Sequence, residues 1–381
     1  MLAALLCTAL LWLSVSLGSA LANPALGGSV GARATEWVRE HGGASLVVWA
    51  ENYWYSHHPP KVGGALPKGT IHLPKTPAAA ATAQTLAHLP APAPIVPLAS
   101  PPVAGEGEWS AAGRLVDGIP AVYTTEIRPS AIHTSYVVGV AWMDTRLLRA
   151  TLYSGSQIPG GGPYTHTAPI SPTDATSLVS AFNAGFLMSD ANGGYYTDGK
   201  TIIPLRTGAA SFVVYRDGSS TVGQWGRDVT MGPDVVSVRQ NLVLLVDDGQ
   251  PTPTVSAANS LAWGASLGGA LYVWRSALGV TSDGALVYVG GPGLSISDLA
   301  NIMVRAGAVR AMELDINTDW GNYSFYTPST PGGAATPANG TTLLPNMTGT
   351  AGRYFAPWWA RDFITLSSAS PASPATRTRA R

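Results

Sequence analysis

The hydrophobic pattern divides the chain into five stretches. Residues 2–22 ("LAALLCTALLWLSVSLGSALA") run apolar or small, and the first charge in the chain is Arg33. About twenty such residues predict a helix long enough to span a bilayer. The stretch also ends in Ala20-Leu21-Ala22, the small-x-small form that a signal peptidase accepts. Residues 1–22 are therefore expected as a signal peptide or a membrane anchor, with the chain exported in either case. Residues 33–58 predict a short amphipathic, membrane-proximal helical segment. Its Trp37, Trp49, Tyr53 and Trp54 suit either a headgroup interface or a small packed subdomain.

Residues 59–105 carry prolines mixed with alanine and no hydrophobic periodicity, the pattern of a semi-rigid spacer. The pattern changes again over 106–366, where β-type runs alternate with turn signals. The runs are "SYVVGVAWM" (135–143), "ASFVVYRDG" (210–218), "VVSVRQNLVLLVDDG" (235–249) and "LYVWRSALGVTSDGALVYVG" (271–290). Asp217-Gly218, Asp248-Gly249 and Asp283-Gly284 mark hairpin-type turns. Two helices are expected, at 173–181 and 295–307. The second opens on a capping pair, Ser295 with Asp298, keeps Ile296, Leu299, Met303 and Ala306 on one face, and stops at Gly307. The fold class is α+β, a mixed and largely antiparallel sheet with a few packed helices, preceded by the apolar helix and the Pro-rich spacer. Residues 367–381, polar and basic, predict a disordered tail.

Composition removes several function classes. Formal net charge is zero, so nothing draws the chain to nucleic acid. The single cysteine, Cys7, lies in the apolar run, which leaves the folded part without disulfide, thiol nucleophile or cysteine metal site. High Gly, Pro and Ala with few Lys fits a GC-rich bacterial source. Twelve Trp residues offer sugar-stacking surfaces, a role that competes with ordinary packing.

The candidate chemistry starts at "ELDINTDW" (313–320). In a strand, Met312, Leu314 and Ile316 face the core while Glu313, Asp315, Asn317 and Asp319 share the other face, successive ones ~6.5–7 Å apart. That separation suits an acid and base flanking a sugar linkage, and it equally suits a solvated strand face. Asp315-x-Asn317-x-Asp319 copies half of a calcium loop, but the sixth and twelfth positions hold Trp320 and Tyr326 where Gly and Glu are needed. No metal and no cofactor are expected. Asn183, in "FNAGF" (182–186), sits among small residues that permit close approach to the backbone. Arg275 is the lone charge of an apolar strand and calls for a carboxylate or phosphate partner. Tyr195, Tyr196 and Asp198 in "NGGYYTDGK" are candidates to line the same pocket, or an ordinary turn.

Taken in order, Asn183-Ala-Gly185-Phe, then Arg275-Ser-Ala277-Leu-Gly279, then Leu314-Asp315 after a capped helix resemble the phosphodiester glycosidase domain family across about residues 120–366. Where that family carries Gly-Gly-Gly-Ser, this chain has Ile316-Asn317-Thr318-Asp319. The resemblance implies an enzyme acting on a sugar-phosphodiester. It implies a pocket of Asn183, Gly185, Arg275 and Asp315, with Asp315 catalytic and Arg275 as the phosphate clamp; beside it the acidic file offers Glu313 and Asp319 as catalytic partners, and Asn317 and Asp198 are further candidate substrate contacts. The expected partner is a carbohydrate or sugar phosphate in the cell envelope. A non-catalytic polysaccharide-binding module using the same pocket is the alternative.

Overall fold

The computed structural model describes residues 2–74, 87–255, 262–264, 272–330 and 332–369. Helix α1 (Leu2–Ala22) is succeeded by α2 (Val30–Val38) and α3 (Ala44–His57). Among the described residues no helix is long and apolar enough to cross a membrane. The expectation of a membrane anchor therefore has no support there. The end of α1 instead packs on α2: Trp37 donates to Ser16 Oγ at 2.9 Å, and Arg33 donates to the Leu21 and Gly27 carbonyls.

Every pairing between named strands is antiparallel. An eight-stranded sheet has at its centre Val138–Met143, Leu286–Leu294, Val273–Thr281, Ala308–Asp315 and Leu244–Asp247, in that order. A five-stranded sheet pairs Leu178–Asn183 with Tyr323–Tyr326 and Phe363–Ser368, with Leu148–Tyr153 at its edge. A second five-stranded sheet contains Tyr195–Thr197, Val235–Gln240 and Ala210–Tyr215. The fold class is the one the sequence predicted.

Helix α4 (Pro172–Ala175) is one turn only, against the helix expected over 173–181. Leu178–Asn183 is instead a strand buried along its whole length, because pairing on both edges overrides a weak local helix signal. Helix α5 (Ile296–Arg305) forms as predicted, with the full Ser295–Asp298 capping box. Its Ile296, Leu299, Ile302 and Met303 pack on one face of the eight-stranded sheet together with Ala277 and Ala311. Met312, Leu314 and Leu278 fill the core on the opposite face. "TSDG" forms the expected turn, joining Val273–Thr281 to Leu286–Leu294.

The Pro-rich segment, expected as a semi-rigid spacer, packs on the folded part over its second half. Leu89, Ile95 and Ala99 are buried, and the Leu89 amide donates to Asp144 Oδ2 at 2.8 Å. The buried Glu106–Arg128 ion pair, 2.7 Å, anchors its end; Arg128 also donates to the Ala99 and Pro101 carbonyls. The stretch from Leu89 to Glu106 is thus held against the folded part at several points. Residues 75–86 of the segment, and the tail from 370, lie outside the described residues.

Candidate active site

Ala308–Asp315 runs between Val273–Thr281 and Leu244–Asp247, with Ser276 opposite Asp315 and Ala277 opposite Glu313. The register shifts between Ser276 and Ala277, an irregularity of the kind that re-aims side chains. The strand ends at Asp315. Beyond it the chain makes a run of side-chain-capped turns: the Asn317 amide donates to Asp315 Oδ1 at 2.9 Å, and the Asp319 amide to Asn317 Oδ1 at 2.8 Å. The acidic file is therefore not one solvated strand face. Glu313 is 0% exposed and Asp315 3%, while Asn317 and Asp319 belong to the turn beyond them.

Glu313 and Arg275 form a fully buried ion pair, Nη1 to Oε1 at 2.6 Å, with Arg275 Nε donating to the Leu294 carbonyl. The other carboxylate oxygen of Glu313, Oε2, has no hydrogen-bond partner among the described residues. Burial pushes the Glu313 carboxyl up while Arg275 pulls it down. In this arrangement Arg275 is committed to a carboxylate, so the phosphate clamp expected of it is already filled by Glu313.

Asn183 is equally occupied. Its Nδ2 donates to Ser276 Oγ at 3.2 Å, and its Oδ1 accepts from Tyr288 OH at 3.0 Å and from the Asn322 amide at 3.1 Å. Ser276 Oγ in turn receives the Asp315 amide at 3.1 Å. Asn183 thus positions the backbone that carries Asp315. Gly185 is needed for space: a Cβ there would lie 2.9 Å from the Arg239 guanidinium carbon and 3.1 Å from Asn241 Oδ1. Asp198 stands apart, on an exposed turn where its Oδ2 accepts from the Thr165 amide at 2.7 Å, beside a different cavity. Tyr196 lines that cavity too, whereas Tyr195 is fully buried.

Burial pushes the Asp315 carboxyl up to about 7, although Arg361 beside it and the amides of Asn317 and Ile316 favour its charged form. Arg361 is not among the candidates that the sequence motifs single out. It is 7% exposed, its guanidinium lies 4.4 Å from the centroid of the Trp320 ring, and its Nη1 has no hydrogen-bond partner among the described residues. Burial lowers its pKa, and Asp315, Glu36 and Asp362 oppose that shift. Neighbouring Asp362 pairs with Arg239, Oδ2 to Nε at 2.6 Å, both fully buried. Arg239 also donates to the Gln240 and Phe186 carbonyls. Asn241 ties the pieces together, donating to the Glu313 carbonyl at 2.8 Å and accepting from the Phe186 amide at 3.1 Å. The sequence holds a signal for these residues. "SVRQNLVL" and "WWARDFITL" each place arginine in an apolar run, the feature that singles out Arg275.

The N-terminal helices face the turn that follows Asp315. The Gly28 amide donates to the Asp319 carboxylate, whose pKa burial raises. A cavity of about 210 Å³ is bounded by Glu36, Arg39, Glu51 and Tyr55 on one side and by Asn317 to Trp320 on the other. Among the described residues no group of three His, Cys, Asp or Glu is placed to hold a metal ion.

The phosphodiester glycosidase family model matches residues 176–315, which include Asn183, Arg275, Glu313 and Asp315 but stop short of Arg361. A comparison with curated proteins gives no match. Among solved structures, the chain is similar to the catalytic domain of zebrafish N-acetylglucosamine-1-phosphodiester alpha-N-acetylglucosaminidase, auto-inhibited by its pro-peptide. Identity is 16% and the TM-score 0.42, over 69% of this chain and 88% of that one. A hypothetical protein from Synechocystis is similar at 13% identity and a TM-score of 0.35, over 66% of this chain and 63% of the other. Residues 176–315 of this chain thus match the phosphodiester glycosidase family model, the family that the three motifs resemble.

Proposed function

We propose that the protein is an exported hydrolase that cleaves the bond between a sugar and phosphate in an envelope phosphodiester. The observation that carries this reading is a buried arginine, Arg361, with an unpartnered Nη1 among the described residues, beside the buried carboxyl of Asp315. A guanidinium held so, stacked on Trp320, is suited to a phosphate oxygen. Asp315 acts as general base on the water that attacks the anomeric carbon. The glycosidic C–O bond breaks, its electron pair leaves with the phosphate monoester, and Arg361 holds that developing charge. Glu313 and Arg275 support the strand from beneath, and Asn183 fixes the backbone at Asp315. Export rests on the apolar run of 2–22, and fractionation of cells expressing the full chain tests it.

Residues 23–57 restrain this site in the same reading, because Gly28 hydrogen-bonds Asp319 and Glu36 lies close enough to Arg361 to affect its charge. The reading of a non-catalytic glycan-binding module draws on Ile316 to Asp319, where side chains stand in place of the family's glycines. Sugar release from synthetic sugar-phosphodiesters separates the two. Wild type should turn over, and Asp315→Asn should lose at least about a hundredfold in kcat, the scale of a lost general base. Arg361→Met should cut kcat/KM on the diester while sparing binding of the free sugar. Binding of glycan without any release by wild type rejects the enzyme.

A further inference from the structure

A second cavity, about 780 Å³, opens where the edge strand Leu148–Tyr153 meets the sheet containing Tyr195–Thr197 and Ala210–Tyr215. None of Asp315, Arg361 or Glu313 lines it. Its size falls within the range of small-molecule sites. We propose that this cavity is a non-catalytic binding site for a neutral oligosaccharide.

Two aromatic rings and one thioether stand out among the apolar groups of the lining, beside Leu152, Val214 and Val236. Tyr196 and Tyr215, each half-buried, pack against the cluster of Val213, Val229, Val235 and Val238 and line the cavity. Rings braced from behind in this way offer stacking faces for sugars at little entropic cost. Met231, 45% exposed, lies in the same lining. Strand Tyr195–Thr197 sends alternate side chains to different places. Tyr195 is buried, its hydroxyl 3.3 Å from Ser154 Oγ, while Tyr196 meets the cavity.

The polar groups select for a neutral ligand. Arg149 and Arg216 are matched in number by Asp198 and Asp217, so the lining presents no net field for an anion. All four are partly or wholly held by the backbone or a near neighbour, Arg216 through its donation to the Pro233 carbonyl at 2.8 Å and its pairing with Asp234 at 3.8 Å. Asp198 accepts from the Thr165 amide, Asp217 from the Ser219 amide and hydroxyl, and Arg149 donates to the Leu148 carbonyl at 3.0 Å. Fixed donors and acceptors beside aromatic faces match a run of hydroxyls and ring C–H faces better than a phosphate. This site lies apart from the one assigned to catalysis, so its test is independent of turnover.

The test uses the full chain carrying Asp315→Asn, titrated by calorimetry with the hexamer of N-acetylglucosamine and, separately, the hexamer of glucose. At least one should bind. Adding Tyr196→Ala and Tyr215→Ala should weaken that binding tenfold or more, and Met231→Glu, at an exposed position, should weaken it as well. Arg361→Met should leave it unchanged. Thermal melting of each variant establishes that it is folded. The proposal is overturned if neither hexamer binds, if the tyrosine and Met231 variants bind like their parent, or if Arg361→Met alone abolishes binding. Failure of sugar release in the diester assay, with hexamer binding intact, would reject the hydrolase and leave this site standing.

Discussion

At the scale of single residues, Asp315 is where stability and chemistry oppose each other. Its ordinary carboxyl value is 3.8 and burial carries it to about 7. An unfolded chain therefore loses this proton below the pH at which the folded chain does. Between about pH 4 and 7 the unfolded state binds fewer protons at this group, so its contribution to stability falls as pH rises and stays low above 7. Asp315→Asn removes the charge that folding disfavours. The variant should gain stability relative to wild type at pH 8, on the order of 1–4 kcal/mol given ~1.4 kcal/mol per pKa unit, and much less at pH 4. Thermal melts at the two pH values measure this. The gain should accompany loss of turnover, the signature of a residue retained for function at a cost in stability. As a general base, Asp315 should also give wild type a kcat that rises through pH 7. A kcat that falls across the same interval would assign it the role of acid.

Between elements, the Arg275–Glu313 pair joins two neighbouring strands of the large sheet at 2.6 Å with both side chains fully buried. Removing one partner leaves the other charge uncompensated, so Arg275→Met should cost about 3–5 kcal/mol in urea unfolding. The double variant Arg275→Met, Glu313→Leu should recover most of that, because two apolar side chains no longer need each other. A phosphate clamp would behave differently: the double variant would be stable yet still lack kcat/KM on a diester. The strands themselves are legible in the sequence, since "RSALGV" and "ALVYVG" flank an Asp-Gly turn and Ser295 with Asp298 caps α5. The partner of Arg275 is legible only as a choice among several acidic residues. Its selection depends on the register shift beside Ala277, which sequence alternation does not encode. Leu178–Asn183 reads locally as part of a helix because its identity comes from the strands on either side, 140 or more residues away in the chain. Arg239, Arg361 and Asp362 are, like Arg275, charges within apolar runs but lie outside the motifs, and tertiary packing brings Arg361 to Asp315 and Arg239 to Asp362.

Across the whole molecule, the site is closed by parts of the chain far apart in sequence. Trp320, on whose ring Arg361 stacks, comes from its C-terminal third and lines a cavity whose other wall is α2 and α3 with Glu36, Arg39 and Glu51. Arg39 is bound to Glu51 at 2.6 Å, which fixes α2 against α3 as one unit. The same chain then returns to the folded part, pinned at Leu89, Ile95 and Glu106. Cutting the chain at 59–60, ahead of the Lys61, Gly63 and Gly64 backbone contacts with Ile132, His133 and Thr134, therefore separates the helical wall from the segment that follows. A protease site engineered there and cleaved after purification should raise kcat/KM on a sugar-phosphodiester by about tenfold or more, because the approach to Arg361 no longer requires displacement of α2. Glu36→Gln in the uncut chain should have a smaller effect of the same sign, since it removes a negative charge that competes with phosphate for the guanidinium. If cleavage leaves kcat/KM unchanged while the helices demonstrably dissociate on gel filtration, the wall is a support for the site and substrate reaches Asp315 from another side.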